Sequence, residues 1–487
     1  MKTTDEQSAI RHAIVSGHAV RSVVPDNEPE RHRARALADL QAALPSASLL
    51  NKGGGLNNGK GRISAVVTTP DFHAGKPVPV GVVVDAKGII MPHLIGNDIG
   101  CGMRMIVLEG ITESDLGPDL ERHLRHVHFQ GGRDVALTGR DREAVLREGI
   151  PGLLESLGNG RKGLLAKLDM ASSWKDVDRT SDDGFFVTDG VDADFADYAD
   201  PDGGTRHDAI LGTIGGGNHF VEFGVVHGIE DGTFAAAAGL RTGTVVLVVH
   251  SGSLDFGQRV GTAVKEKLHA LRRPGEDERV LGLSDRPELA RRYLNGLANA
   301  ANAAFVNRLL IGLSAIEALE RTVGRSIGHH LVYDAPHNTI WQRDDVIRHR
   351  KGACPARGPG ALAGSPYEWL GEPVILPGSM GDGTWLLKGL GSAEGLESAA
   401  HGAGRRLSRG DARSQAIVPE QLRIVGPVDL KSPALRGRAD IIKEVEGRLN
   451  EEAPSAYRPI ESVVTPMVEA GLVGRVAKIR PVLTVKG

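Results

Sequence analysis

The chain's 487 residues, 40% hydrophobic and 24% charged, exclude a minimal module and a disordered protein, and leave room for one large α/β body or two to three domains. A formal net charge of −3 supplies no overall drive toward nucleic acid, so a polyanion site must be a local basic patch on a near-neutral surface. With two cysteines, Cys101 and Cys354, no signal-peptide apolar core in residues 1–17 and no run approaching a membrane span, the expected setting is reducing and cytoplasmic, without membrane contact.

Residues 30–44 carry Ala, Leu and Arg at helical spacing between Pro29 and Pro45, which predicts a surface helix. Next, Lys52-Gly53-Gly54-Gly55-Leu56-Asn57-Asn58-Gly59-Lys60-Gly61 nearly matches a phosphate-binding P-loop. It fails because Gly61 stands where a magnesium-binding Ser/Thr belongs, and because residues 63–69 read as a strand where a helix is required. A mobile basic loop touching a phosphate backbone is the expectation. Residues 1–62 thus read as an N-terminal helical and Gly-rich basic segment, and 63–487 as the main body.

From 63 to 108, β-branched runs alternate with turns: 64–69, 78–84, the hairpin signal Asp85-Ala86-Lys87-Gly88, then 89–91. Pro70-Asp71-Phe72-His73 lies at a strand end and is weak as an isolated motif. At the end of the same stretch comes Gly96-Asn97-Asp98-Ile99-Gly100-Cys101-Gly102. A thiolate can bridge two divalent metals and a nearby carboxylate can add an oxygen ligand. Alone, the pair is equally a capped turn beside a small buried thiol.

Residues 116–168 read as amphipathic helices whose Arg122, His123, Arg125 and His126 form solvated faces, and aspartate-rich 182–204 as an exposed acidic loop. A glycine pattern, Gly212-Thr213-Ile214-Gly215-Gly216-Gly217-Asn218-His219-Phe220-Val221-Glu222, precedes a β-rich run, 244–249, that delivers His250. Residues 256–272 and 287–321 are predicted helices, the second long, alanine-rich and buried on one face. Residues 331–336 lead to His337-Asn338, and 374–376 into the turn Pro377-Gly378-Ser379-Met380-Gly381. His401-Gly402-Ala403-Gly404 is expected to open a helix, and 477–487 to form a closing strand. Without repeats or a long linker, one composite body is the simplest account.

His219, His250 and His337 share a setting, each after an apolar run or glycine turn and beside a small polar residue. With Asp98 and Cys101 they make a ligand set suited to Mn, Zn or Fe, although any one of them alone reads as a hydrogen-bonded structural histidine. His401 differs, because its small neighbours leave its ring open to a bulky electrophile such as a nucleotide α-phosphate.

These motifs, with His250-Ser251-Gly252-Ser253, Arg350-Lys351-Gly352-Ala353 and the terminal Val485-Lys486-Gly487, resemble the RtcB family of GTP-dependent, 3′-phosphate RNA ligases from about Asp71 to Lys486. The resemblance implies an α/β fold (mixed α+β), a single large body with mixed sheets around a deep metal and nucleotide cleft. It implies two Mn ions on Asp98, Cys101, His219, His250 and His337, with Cys101 bridging. It makes His401 the catalytic nucleophile toward GTP. The implied GTP site comprises Asn218, His219, Phe220, Val221, Glu222, His337, Asn338, Pro377, Gly378, Ser379, Met380, Thr384, His401, Gly402, Ala403, Gly404, Tyr457 and Lys486, with Glu222 reading the guanine edge. The implied substrate is RNA with a 3′-phosphate or 2′,3′-cyclic phosphate end and a 5′-hydroxyl end, joined through a guanylyl-histidine by a monomer that an archease-like activator assists.

Three stretches depart from the family pattern. Leu254-Asp255-Phe256 stand where the family usually has an arginine and a glycine, which is expected to weaken a contact with RNA or its terminal phosphate. Gly381-Asp382-Gly383-Thr384-Trp385 and Ala399-Ala400 also differ from the usual residues. The alternatives are a nucleotidyltransferase that caps 3′-phosphates but seals little, a dinuclear-metal phosphodiesterase without a covalent nucleotide, and an RNA-binding paralogue with neither reaction.

Overall fold

Two sheets and one long helix set the architecture of the computed structural model, which describes residues 9–25, 30–50, 61–75, 77–158, 161–272, 277–430 and 432–487. The first sheet has six strands in the order Ile10–Val15, His18–Val23, Arg62–His73, Val80–Lys87, Val346–Lys351 and Asn338–Arg343. The second runs His329–Pro336, Gly102–Leu108, Val245–Ser251, Phe220–Ile229, Val473–Lys486, Thr384–Gly389 and Pro373–Pro377, with the short strand Ile424–Val425 beside 473–486. The result is the mixed α/β body expected.

The helix Pro287–Val323 runs beneath the second sheet. Its Ile311, Ala315 and Leu319 meet Ile106, Leu247 and Val249 of the sheet, while Phe305, Val306 and Leu309 pack with Leu146, Ile150 and Leu153 of the helix Gly139–Ser156. By length and composition this helix could cross a membrane, yet 94% of its most apolar window is buried inside the protein, so it is a core helix. Burial on one face was the expectation. Over residues 296–316 a sheet on one side and helices on the other bury it all round, and its alanines let those neighbours approach closely.

Other local expectations are corrected. The chain does not turn back as a hairpin at Asp85–Gly88: Gly88, at φ +67°, redirects it into Ile89–Ile90, which pairs with Leu281–Gly282. No helix opens at His401, because Gly404 takes φ +69° against the backbone of Asp71, and the next helix is Arg409–Gln415. The acidic stretch is not a free loop: Asp182 pairs with Arg357 at 3.1 Å, Asp192 with Arg292 at 3.3 Å, and both carboxylates are largely buried. The P-loop-like residues 52–60 lie outside the described residues.

The N-terminal strands are continuous with the rest. Strand 18–23 pairs in parallel with 62–73 through Val20↔Val66, Arg21↔Val67 and Ser22↔Thr68, and the predicted helix, observed as Glu30–Ala43, buries Ala36, Leu40 and Ala43 against the same sheet.

Candidate active site

Four strands of the second sheet bring the predicted metal ligands to one edge. In the register Met103 faces His250, His250 faces Phe220, and Gly102 faces Pro336. Cys101, His219, His250 and His337 therefore emerge from the same end of adjacent strands. Gly100 lets the first loop lie on the central helix, since it takes φ +69° and a Cβ there would sit 2.7 Å from that of Ala304.

Cys101 Sγ lies 3.3 Å from His219 Nε2 and 3.2 Å from His250 Nε2, and all three residues are buried. His250 Nε2 is 3.4 Å from His337 Nε2, and Asp98 Oδ1 is 3.6 Å from His219 Nε2. The Nδ1–H of His219 donates to Ile214 O and that of His250 to Asn218 O, each at 3.0 Å. A carbonyl can only accept, so a neutral imidazole at either position presents its Nε2 lone pair to the thiol. His337 Nδ1 is buried without a hydrogen-bond partner among the described residues. Lone pairs crowded together with few protons between them are what a bound cation relieves, and sulfur, imidazole and carboxylate are the donors of a transition-metal site. The residues present fit such a group.

The electrostatics agree. Burial, then the neighbouring imidazoles, holds His250 and His337 well below the usual histidine range, so both are neutral. Burial raises the Asp98 pKa, but the charge and hydrogen bond of His219 outweigh it and the net shift is downward. Burial and then the Asp98 charge push the Cys101 thiol well up, a proton that a metal would displace.

His401 follows the short strand Ser398–Ala400, which pairs with Ala353–Pro355. Its Nδ1 meets Asp71 Oδ2 at 2.7 Å, and Thr69 Oγ1 donates to Asp71 Oδ1 at 2.5 Å. Burial raises the Asp71 pKa, yet the His401 and Thr69 contacts bring it below the ordinary value. An ionised Asp71 accepts the Nδ1–H, leaving Nε2 of His401 as a nucleophilic lone pair. The His401 ring centroid is 4.7 Å from that of His337, so His401 and the Cys/His cluster share one space.

That space is an open cleft of about 1090 Å³. Of the predicted nucleotide residues, Asn218, Phe220, Glu222, His337, Asn338, Pro377, Gly378, Ser379, Met380, His401, Gly402, Ala403, Gly404, Tyr457 and Lys486 line it. His219 is brought to the Cys/His cluster beneath. Val221 and Thr384 are not on the cleft wall: strand alternation turns Val221 into the core between Phe220 and Glu222, and Thr384 is buried opposite Pro377. At one end, Glu222 accepts from Thr484 Oγ1 at 2.9 Å, and burial lifts its pKa to about 7. Lys486 donates to His219 O at 3.1 Å, and burial lowers its pKa to about 8.

Sequence reasoning gave Asp71 little weight and passed over Lys351, Arg405, Arg409 and Glu452, which also line the cleft or hold its wall. Lys351 Nζ donates to Ile95 O at 2.8 Å, and Arg405 donates to the Tyr457 hydroxyl at 2.8 Å. Strand-end position was the available signal for Asp71 and Lys351. At the departure, Asp255 is engaged by Arg259 at 2.8 Å, so its charge is taken up locally. Leu254, at φ +52°, sets its side chain against Gly215 beside His219 and makes an apolar wall there.

A family model described as "tRNA-splicing ligase RtcB" matches residues 57–487. A "tRNA-splicing ligase RtcB" of Pyrobaculum aerophilum is 32% identical over 453 residues, covering 86% of this chain and 87% of that protein. An "RNA-splicing ligase RtcB" of Mycobacterium tuberculosis is 30% identical over 453 residues, covering 88% and 98%.

Proposed function

From its membership in the RtcB family, to which the chain belongs by a match over residues 57–487, we infer that this enzyme is an RNA ligase working through a guanylyl-histidine on His401. The observation that carries the chemistry is the Asp71–His401 pair, 2.7 Å apart, in the same cleft as the Cys/His cluster. His401 Nε2 attacks the α-phosphorus of GTP, forming a P–N bond as the bond to the β-phosphate oxygen breaks and pyrophosphate leaves. An RNA 3′-phosphate oxygen, freed from a cyclic phosphate by water, then takes the GMP from His401. The 5′-hydroxyl of the second RNA attacks the activated 3′-phosphorus and GMP departs. Capping gives a phosphate monoester the leaving group it lacks.

Asp98, Cys101, His219, His250 and His337 would hold two manganese ions, which when bound would supply positive charge against the phosphates. Asp71 fixes the His401 tautomer. Glu222 takes the donor edge of guanine, which ATP lacks, while Lys486 and the small residues 378–380 and 402–404 leave room for the nucleotide.

The test is incubation of the full chain with α-phosphate-labelled GTP and manganese, followed by denaturation. The expected result is an acid-labile label on protein that His401→Ala abolishes, and joining of a cyclic-phosphate RNA to a 5′-hydroxyl RNA. Folded, metal-loaded protein that takes no label would overturn the reading. Label without joining would reduce it to a capping enzyme.

A further inference from the structure

The strand ends bring the ligand-bearing loops to one edge, but the loops themselves are irregular, and their spacing has another source. Asn307 and Arg308 stand side by side in the middle of the central helix, both buried. Arg308 Nη1 donates to Gly100 O at 2.6 Å and to Ser251 O at 3.1 Å, the carbonyls adjoining Cys101 and His250. Asn307 Nδ2 donates to Gly252 O at 2.9 Å and Thr213 O at 3.2 Å, and its Oδ1 accepts from Gly212 N at 2.7 Å. Ser251 Oγ, 3.1 Å from Asn307 Nδ2, donates to Ile214 O at 2.9 Å, the same carbonyl that receives the His219 Nδ1–H.

Two adjacent side chains thus hold the backbones of the loops bearing Cys101, His219 and His250. Arg308 Nε reaches Asp334 Oδ1 at 2.8 Å, three residues before His337, tying in the fourth loop. Asp334, which Arg104 Nη1 also reaches at 3.2 Å, pairs with the guanidinium, and beside its charge Arg308 contributes geometry: a rigid fork that spans two carbonyls and a carboxylate, which an ammonium cannot do. Burying an ion pair is seldom the most stabilising use of core space, and a role in fixing registry is the better-attested reason to keep one.

We propose that Asn307 and Arg308 are positioning residues for the metal centre, setting the separation of Cys101, His219 and His250 from outside the ligand set. The inference rests on the metal-centre reading, and the experiment separates the two. Cobalt(II) is titrated into full-length, metal-free protein, following the thiolate-to-cobalt absorption band and the affinity, with thermal unfolding recorded for each variant. The variants are Arg308→Lys, Asn307→Ala and, as a control, Asn302→Ala, whose side chain holds Phe186 N at 2.6 Å and touches no metal loop.

The expected outcome is a cobalt affinity about 10–100-fold weaker, with a shifted thiolate band, in Arg308→Lys and Asn307→Ala. Asn302→Ala should unfold at lower temperature yet keep the parent's affinity and band. Parent-like binding in both position variants, equal weakening in all three, or failure of both position variants to fold would overturn the proposal. A parent protein with no thiolate band would instead overturn the metal centre itself.

Discussion

At the scale of single residues, the proposed nucleophile was legible and its partner was not. His401 stands out because glycine and alanine surround it. Asp71 is 330 residues away in sequence, and only the packing of the short pair 353–355 and 398–400 against strand 62–73 brings its carboxylate to 2.7 Å. Asp71→Asn keeps the shape but can offer an amide N–H to Nδ1, favouring the tautomer with Nε2 protonated. The rate of guanylylation in a single turnover should fall by about 10²–10⁴-fold while the bound metal is retained. A second residue-scale consequence is a pH window. In the proposed GTP site Glu222, with a pKa of about 7, would have to lose its proton to accept from guanine, whereas Lys486, at about 8, would have to keep its own to face phosphate or base oxygens. GTP affinity measured by titration should therefore rise as pH increases through 7 and fall above 8, and Glu222→Gln should flatten the acid limb. The sign for stability is opposite at Glu222: the folded form holds a proton that the unfolded chain releases at its ordinary pKa of 4.5, so folding stability declines as pH climbs from there toward 7.

At the scale of elements, strand ends were read well because a β-branched run stopping at a glycine or histidine is a local signal. The central helix was underestimated because its asparagines look like a solvent face. They are buried donors and acceptors for other backbones: Asn299 Oδ1 accepts from Asp192 N at 2.9 Å, and its Nδ2 donates to Leu146 O at 2.9 Å. The same ladder pins residues 186–192 to the protein, Phe186 N donating to Asn302 Oδ1 and Asp189 N to Asn295 Oδ1. Asn299→Ala would leave the buried Asp192 N–H unpaired, at a cost of about 1–3 kcal/mol, while Leu146 O keeps its bond from Asn302 Nδ2 at 3.0 Å. Urea unfolding should show the lower midpoint. Guanylylation of the still-folded variant should be near that of the parent, because Asn299 contacts neither the cleft nor the metal loops.

At the scale of the whole molecule, a boundary near residue 62 was drawn from a glycine-rich basic stretch, and composition could show no more than that. Pairing between strands 18–23 and 62–73 is a non-local contact with no local signature. Its effect is to seat the N-terminal strands directly beside the strand that carries Thr69 and Asp71. Val20 joins Val66 and Val84 in one apolar cluster, and Val23 joins Cys354, Ala399 and Ala400, the residues under His401. Deleting residues 1–25 would bare both clusters, removing about 1.5–3 kcal/mol of apolar burial for each of the two valines and opening the edge of the Asp71 strand. If the N-terminal strands are part of one cooperative body, calorimetry of the parent shows a single transition. The truncated protein then unfolds at lower temperature, and its guanylylation falls with the loosened Asp71 strand. If they form a separate unit, the parent shows two transitions and truncation removes one while leaving the other, and the labelling of His401, where they were.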